Sequence, residues 1–312
     1  MSHFQPKTET SQIKNADLAL KIPAAKERIR ELKSWEKDPA KFEKRDTITR
    51  EQYLEIKNRL GGLFRDRIKK SQLSDGDNLT EDDLRLTIEL IDAIGRIENA
   101  IIPEEKTRPW KPACVEHLKQ VECVAETIAD AIMVMNPKEK LDRNRIKIKA
   151  LIHDIGRFAS HDPLIHGLAG RKLLKELGFS RKFFTTAIAH LEAGVGPYVV
   201  GITPETWPEI SNDPPRLHAL LSDLPTEEII IALADMAKIG IKDPPGSGTF
   251  VNKIADPIEG VAVSAKRRPG EKSTMYLGFA KALKDFLERK HHITFGDEDG
   301  IIAKVQKRYE KI

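Results

Sequence analysis

Two aspartates stand where carboxylates are hard to keep. Asp154 follows His153 in Ala150-Leu-Ile-His-Asp-Ile-Gly156, and Asp235 is the one ionisable group in Ile229-Ile-Ile-Ala-Leu-Ala-Asp-Met236. In surroundings this apolar an uncompensated carboxylate is expelled or protonated, so both segments need a positive charge nearby. Four of the nine histidines fall between positions 153 and 190, and three of those, His153, His166 and His190, sit in apolar helical surroundings. His117 lies one residue off the apolar stripe of its own segment, on an edge shared with Val121 and Val124, and can point inward. Imidazole and carboxylate together suit a divalent first-row cation (Fe, Mn, Co, Ni or Zn) better than Ca or Mg alone. Taken singly, each residue has a plainer reading: a histidine at a helix edge is commonly a hydrogen-bonded core residue, and Asp235 could be the partner of a buried lysine.

The elements that must position these groups read as helices throughout. Leu84, Ile88, Ile91, Ile94, Ile97 and Ile101 recur at helical spacing within a charged stretch, poor in Gly and Pro, that runs from Ile13 to about Ile102 and should hold three or four helices. Three prolines in the ten residues from Pro103 to Pro112 break any helix and mark a boundary. Beyond it Cys114, Leu118, Val121, Ala125, Ile128, Ile132 and Met135 step by three and four, forming a long amphipathic helix that starts after Pro112. A helix is expected over Ile146 to Ile155, stopped by Gly156 in the usual C-terminal position. Others are expected over Pro163 to Leu177, closed by Gly178; Ser180 to Leu191; Pro225 to Ile239, closed by Gly240; and Thr274 to Lys290. His166 opens a helix in which Gly170, one turn later, allows close approach of a neighbour, and His190 ends the next. The Gly- and Pro-rich stretch 241–273 is a long loop, either a lid or without fixed structure.

Composition fits this picture. With 32% charged residues and only 6% aromatics in 312 residues, helices with solvated outer faces are favoured over a β-sandwich. A formal charge of +4 neither demands nucleic acid nor repels an anionic substrate. Cys114 and Cys123 lie nine residues apart on one expected helix, too far along its axis to bridge, so both are read as reduced core residues. The first residues lack the build of a signal peptide and no apolar run approaches membrane length, so a cytoplasmic protein is expected. No GxxxxGK[ST] phosphate loop and no paired CxxC occurs.

The order His117, then His153-Asp154 followed by Ile-Gly-Arg157, then His166 with Gly170, His190 and finally Asp235 resembles the HD-domain phosphohydrolase superfamily, over roughly residues 108 to 240. The resemblance implies an all-α HD-domain helical bundle (108–312) carrying an N-terminal helical extension (1–107) of unknown role. It implies that His117, His153, Asp154 and Asp235 bind one divalent metal, with His166 and His190 similar to the second-metal ligands of dinuclear branches and Asp154 bridging both ions. The HDIG sequence is most similar to small HDIG proteins of archaea and bacteria. The chain has neither the Gly-Tyr-Pro signature of cyclic-dinucleotide phosphodiesterases nor the Glu-Asp pair of alarmone hydrolases.

A divalent ion lowers the pKa of a coordinated water toward neutrality, so phosphorus can be attacked without a protein nucleophile. The expected activity is therefore hydrolysis of a phosphomonoester, phosphodiester or phosphoanhydride in a nucleotide or related phosphorylated metabolite. Asp154 and Arg157 are the expected catalytic residues, the arginine gripping a phosphate; its plainer reading is a helix-end charge set against the dipole. His161 is expected in a loop, Glu192 exposed, Lys266-Arg-Arg268 solvated and His291-His292 at the surface. The competing reading is a regulatory or RNA-binding HD-domain protein whose N-terminal region engages a partner; nucleic acid is not favoured, no membrane is expected, and the oligomeric state is left open.

Overall fold

A computed structural model describes residues 48–103, 110, 112–159, 163–184, 202, 206–222, 224–242, 250–254, 256–259, 261–262, 271–296 and 300–309. Among the described residues the fold is all-α, with one short hairpin added. Helices α1 (Arg50–Lys69) and α2 (Glu81–Ile101) are followed by α3 (Pro112–Met135), α4 (Arg143–Ile152), a 3-10 turn (Ile155–Phe158), α5 (Pro163–Leu177) and α6 (Arg181–Phe184). Then come α7 (Trp207–Ser211), α8 (Pro214–Ser222), α9 (Thr226–Met236), α10 (Glu271–His291) and α11 (Ile301–Tyr309). Strands β1 (Lys238–Lys242) and β2 (Phe250–Ile254) pair antiparallel, with Gly240 opposite Asn252.

Local chemistry fixes the helix ends. Both α1 and α2 open with capping boxes, Thr49 with Gln52 and Thr80 with Asp83, each cap satisfying amides the helix cannot and contributing about 1 kcal/mol. Asp142 caps α4 by accepting from the Arg145 amide. At the end of α5, Gly178 adopts φ +97°, the Gly178 amide donates to the Lys175 carbonyl and the Phe179 amide to that of Leu174. This double bond pattern closes the helix as Gly178 foretells, and buried Phe179 and Leu174 share the same apolar cluster.

The buried apolar residues form two clusters. The first runs from Ile48 through α1 and α2 and takes in Trp110, Cys114, Leu118, the inner face of α4 and α5, ending at Phe183. The second begins at Val121 and gathers the rest of α3, Ile146 and Ala150 of α4, most of α9, Phe279, Leu283 and Val305 from the C-terminal helices, and Phe295 from the segment between them. Helix α3 thus changes partners partway along: Cys114 and Leu118 face the first cluster, Val121 to Ile132 the second. Its stripe ends one turn early, since Met135 is exposed. Residues 48–102 are built into the first cluster beside residues of the following helices, and both cysteines are buried and free.

Three expected helix ends differ. Helix α4 stops at Ile152, and Gly156 lies inside the 3-10 turn without a positive φ. A Cβ on Gly156 would sit 1.8 Å from the His166 carbonyl oxygen and 2.4 Å from the Gly170 nitrogen, so the glycine is there for backbone contact with α5 rather than as a helix cap. Helix α9 ends at Met236 rather than Ile239, because Lys238 to Lys242 turns into the hairpin that occupies part of the expected loop. Helix α10 starts at Glu271, earlier than the apolar spacing suggested. Among the described residues no helix is long and apolar enough to cross a membrane.

Candidate metal centre

The turn that leaves α4 carries His153 and Asp154, both with 0% exposure. His153 ends the helix, and its ring Nδ1 lies 2.6 Å from the Ala150 carbonyl oxygen one turn back. Donation from Nδ1–H to that carbonyl fixes the tautomer and leaves the Nε2 lone pair facing outward from the turn, the arrangement that metal-binding imidazoles use. The turn is held by the Arg157 amide donating to the Asp154 carbonyl, 2.9 Å, and by the Gly156 contact with α5 described above.

Facing this turn, α3 contributes His117 and α9 contributes Asp235, both buried. His117 Nε2 lies 3.2 Å from Asp154 Oδ2 and 3.2 Å from Asp235 Oδ1. His153 Nε2 lies 3.5 Å and 3.4 Å from the same two oxygens. One atom from each of the four residues falls in a cluster in which all lie within 4.8 Å of one another. The spacing fits a cation: bonds of about 2.1 Å put neighbouring ligands about 3.0 Å apart in an octahedral site and about 3.4 Å apart in a tetrahedral one. A single Nε2–H on His117 cannot aim at two carboxylates at once, whereas a lone pair directed between them is the geometry of convergence on one ion. Asp235, read alone as a candidate partner for a lysine, instead meets two imidazoles.

Electrostatics support this. Burial alone would raise the Asp235 pKa, but His117 and His153 hold it well below the ordinary carboxylate value. Burial likewise opposes charge on His153, yet Asp154 and Asp235 outweigh it and push its pKa up to about 9. With protein groups alone the two acids are balanced by a proton on imidazole; a divalent cation would take over that role.

Asp154 reaches in two directions. Its Oδ2 faces His117 and His153 and pairs with Arg157 Nε, while its Oδ1 lies 2.9 Å from His166 Nε2 on α5. His166 is buried beside the four-residue cluster. Arg157 is partly exposed, so its guanidinium lies between the buried acids and the surface. His190, His161, Glu192 and Lys266-Arg-Arg268 lie outside the described residues.

Two residues were not singled out by their sequence. Lys149 looks like one solvated charge in the alternating run Arg145-Ile-Lys-Ile-Lys149, yet it is buried, 2.8 Å from both Glu227 and Glu228. Its spacing of four residues from His153 was the available signal. His291, expected at the surface with His292, is fully buried at the end of α10; the positive φ of 55° at His292 turns the chain there.

The HD-domain family model matches residues 114–237, a span that includes all four clustered residues and His166. An uncharacterized protein of Methanocaldococcus jannaschii is 34% identical over 128 residues, 41% of this chain and 68% of the relative. No solved structure matches the chain. HD domains are in general metal-dependent hydrolases that bind divalent cations through a histidine and aspartate cluster of this kind. With the doublet, its two distant partners and the matched span in agreement, the chain belongs to the HD-domain family.

Proposed function

We propose that the protein is a phosphohydrolase that cleaves a phosphoester or phosphoanhydride bond in a nucleotide or related phosphorylated metabolite, using a divalent transition metal (Fe, Mn, Co, Ni or Zn). The observation that carries this reading is the convergence of two imidazoles and two carboxylates, all buried, within 4.8 Å of one another. His117, His153, Asp154 and Asp235 would hold the first ion, and Asp154 Oδ1 with His166 and His190 a second. When bound, such ions supply Lewis acidity toward a phosphoryl oxygen and make water nucleophilic near neutral pH.

The chain's own residues do the rest. Asp154 turns one oxygen toward His117 and His153 and the other toward His166, so it would contribute to both positions. The Ala150 carbonyl keeps His153 in the tautomer that binds through Nε2. Arg157, beside Asp154 and partly exposed, is placed to grip a phosphate with two N–H donors and to offset charge that develops on it. The apolar clusters on either side limit the water that reaches the buried acids, which strengthens each of these interactions.

Elemental analysis of purified protein combined with a phosphatase and phosphodiesterase substrate screen tests the reading. Stoichiometric transition metal with release of phosphate or a nucleoside monophosphate, both lost after chelation and dialysis, is the expected result. Turnover that persists after metal is stripped would exclude this mechanism.

A further inference from the structure

Lys149 occupies the turn before His153 on α4, and its side chain is only 6% exposed. Its ammonium is held at 2.8 Å by Glu227 and at 2.8 Å by Glu228, both in the first turn of α9. Arg145, another turn back, reaches Glu227 at 3.4 Å. Arg145, Lys149 and His153 therefore follow at i, i+4 and i+8 along one stripe of α4. Glu227 or Glu228 and Asp235 are eight or seven residues apart, along one stripe of α9. The two stripes meet twice: through the ammonium and its acids at one end, and through His153 and Asp235, 3.4 Å apart, at the other.

Beside these polar contacts the packing is apolar. Ile146 and Ala150 of α4 share the second cluster with Ile229, Ile230, Ile231 and Ala234 of α9. Apolar burial is non-directional and tolerates small rotations and slips of one helix against another. A buried ammonium does not, because any shift that takes Glu227 and Glu228 away leaves a desolvated charge without its acids; fixing register is the best attested use of such pairs.

We propose that Lys149 is a positioning residue for the metal centre: by pinning the rotation and axial register of α9 it delivers the Asp235 carboxylate to His117, His153 and Asp154. The proposal rests on the reading of those four residues as a cation site. It carries a sign that simple electrostatics does not. Removing a positive charge near a cation site, and leaving two glutamates without it, tightens cation binding if charge alone matters. Loss of position weakens it.

Cobalt(II) binding to the full chain, followed by its visible absorption and by competition with a chelator, separates the two. Lys149→Met is expected to weaken cobalt binding by about 10- to 100-fold and to move the spectrum toward that of Asp235→Ala. The double variant should bind no more weakly than Asp235→Ala alone, because the lysine acts through that carboxylate. Lys149→Arg should recover most of the affinity. Leu283→Ala, which opens a cavity in the second cluster, should lower the unfolding temperature and leave the spectrum unchanged.

Wild-type affinity and spectrum in Lys149→Met, or an additive loss in the double variant, overturns the proposal. If Lys149→Met does not fold, Glu228→Gln keeps the ammonium paired with Glu227 and should shift affinity and spectrum the same way by less; no shift overturns the proposal equally. Wild-type protein that takes up no cobalt, or Asp235→Ala that binds as tightly as wild type, overturns the metal-centre reading and this proposal with it. A weakened Asp235→Ala beside an unchanged Lys149→Met overturns the proposal alone.

Discussion

The two apolar clusters support the candidate metal centre by different means. On the first side, the His153-Asp154 turn and His166 are locked through backbone: the Gly156 Cα rests against the carbonyl of His166 and the amide of Gly170. On the second side, among the described residues, one candidate ligand, Asp235, is supplied, and it arrives on a helix joined to its neighbour by apolar packing and the Lys149 pair. His117 stands beside the crossing of α3 from one cluster to the other, next to Leu118 of the first and one turn before Val121 of the second. The lesson is that one half of the site is fixed by covalent geometry and close backbone contact, the other by register between two helices, and the two halves should fail differently.

Asp154→Ala should break the comparison outright, because among the described residues this side chain alone reaches His117, His153, Arg157 and His166. Metal content should fall to near zero and kcat/KM by at least about 10³-fold, the several kcal/mol that a metal contributes to the transition state. Circular dichroism should stay native, since the apolar clusters are untouched. Full activity in this variant, with metal retained, would remove Asp154 from the mechanism.

Gly156→Ala tests the first side. A methyl group there meets two backbone atoms that cannot rotate away, so stability should fall by about 3 kcal/mol and the His153-Asp154 turn should lose its fit to α5. Urea denaturation reads the first effect and metal affinity the second. A variant with wild-type stability would mean that the turn can lift away from α5 at no cost.

Much of this was legible in the sequence, and where it was not the reason is physical. Asp154 and Asp235 were legible because an acid in an apolar run has few explanations, and Gly178 because a helix C-terminus needs a residue tolerant of positive φ. Gly156 was misread as a helix stop, since the helix ends at Ile152 and what a glycine touches depends on a helix ten residues further on. Lys149 was hidden because lysines are usually solvated, and nothing local announces two glutamates some eighty residues away. The hairpin was hidden in a Gly- and Pro-rich stretch whose composition permits a strand pair as readily as a loop. His291 was masked by its exposed neighbour His292, a doublet that the turn at the end of α10 divides between inside and outside.

Arg157→Ala probes the rim of the centre rather than either side. Its guanidinium is partly exposed and pairs with Asp154, so its removal should leave the fold and metal content close to wild type. Loss of a charge-assisted contact to phosphate should lower kcat/KM by about 10- to 100-fold, about 1.5–3 kcal/mol. Arg157→Lys should recover little of this, since a point charge lacks the two-donor fork. Unchanged steady-state kinetics in both variants would leave Arg157 a structural partner of Asp154 only.

The smallest effect per step is set by pH, and its sign distinguishes the metal-free from the loaded protein. Asp154 and Asp235 raise the His153 pKa to about 9 against its ordinary value of 6.5. For protein stripped of metal this makes the imidazolium a stabilising group: its contribution is fully present below pH 6.5 and is lost as pH rises through about 9. For metal uptake the sign reverses, because the ion must displace that proton. Apparent metal affinity should therefore fall by about tenfold for each unit of pH below 9, about 1.4 kcal/mol per unit. Denaturation of chelated protein and metal titration, both run from pH 6 to 9, should give slopes of opposite sign, and His153→Gln should flatten both. Slopes of the same sign would show that His153 does not carry the proton that the cation replaces.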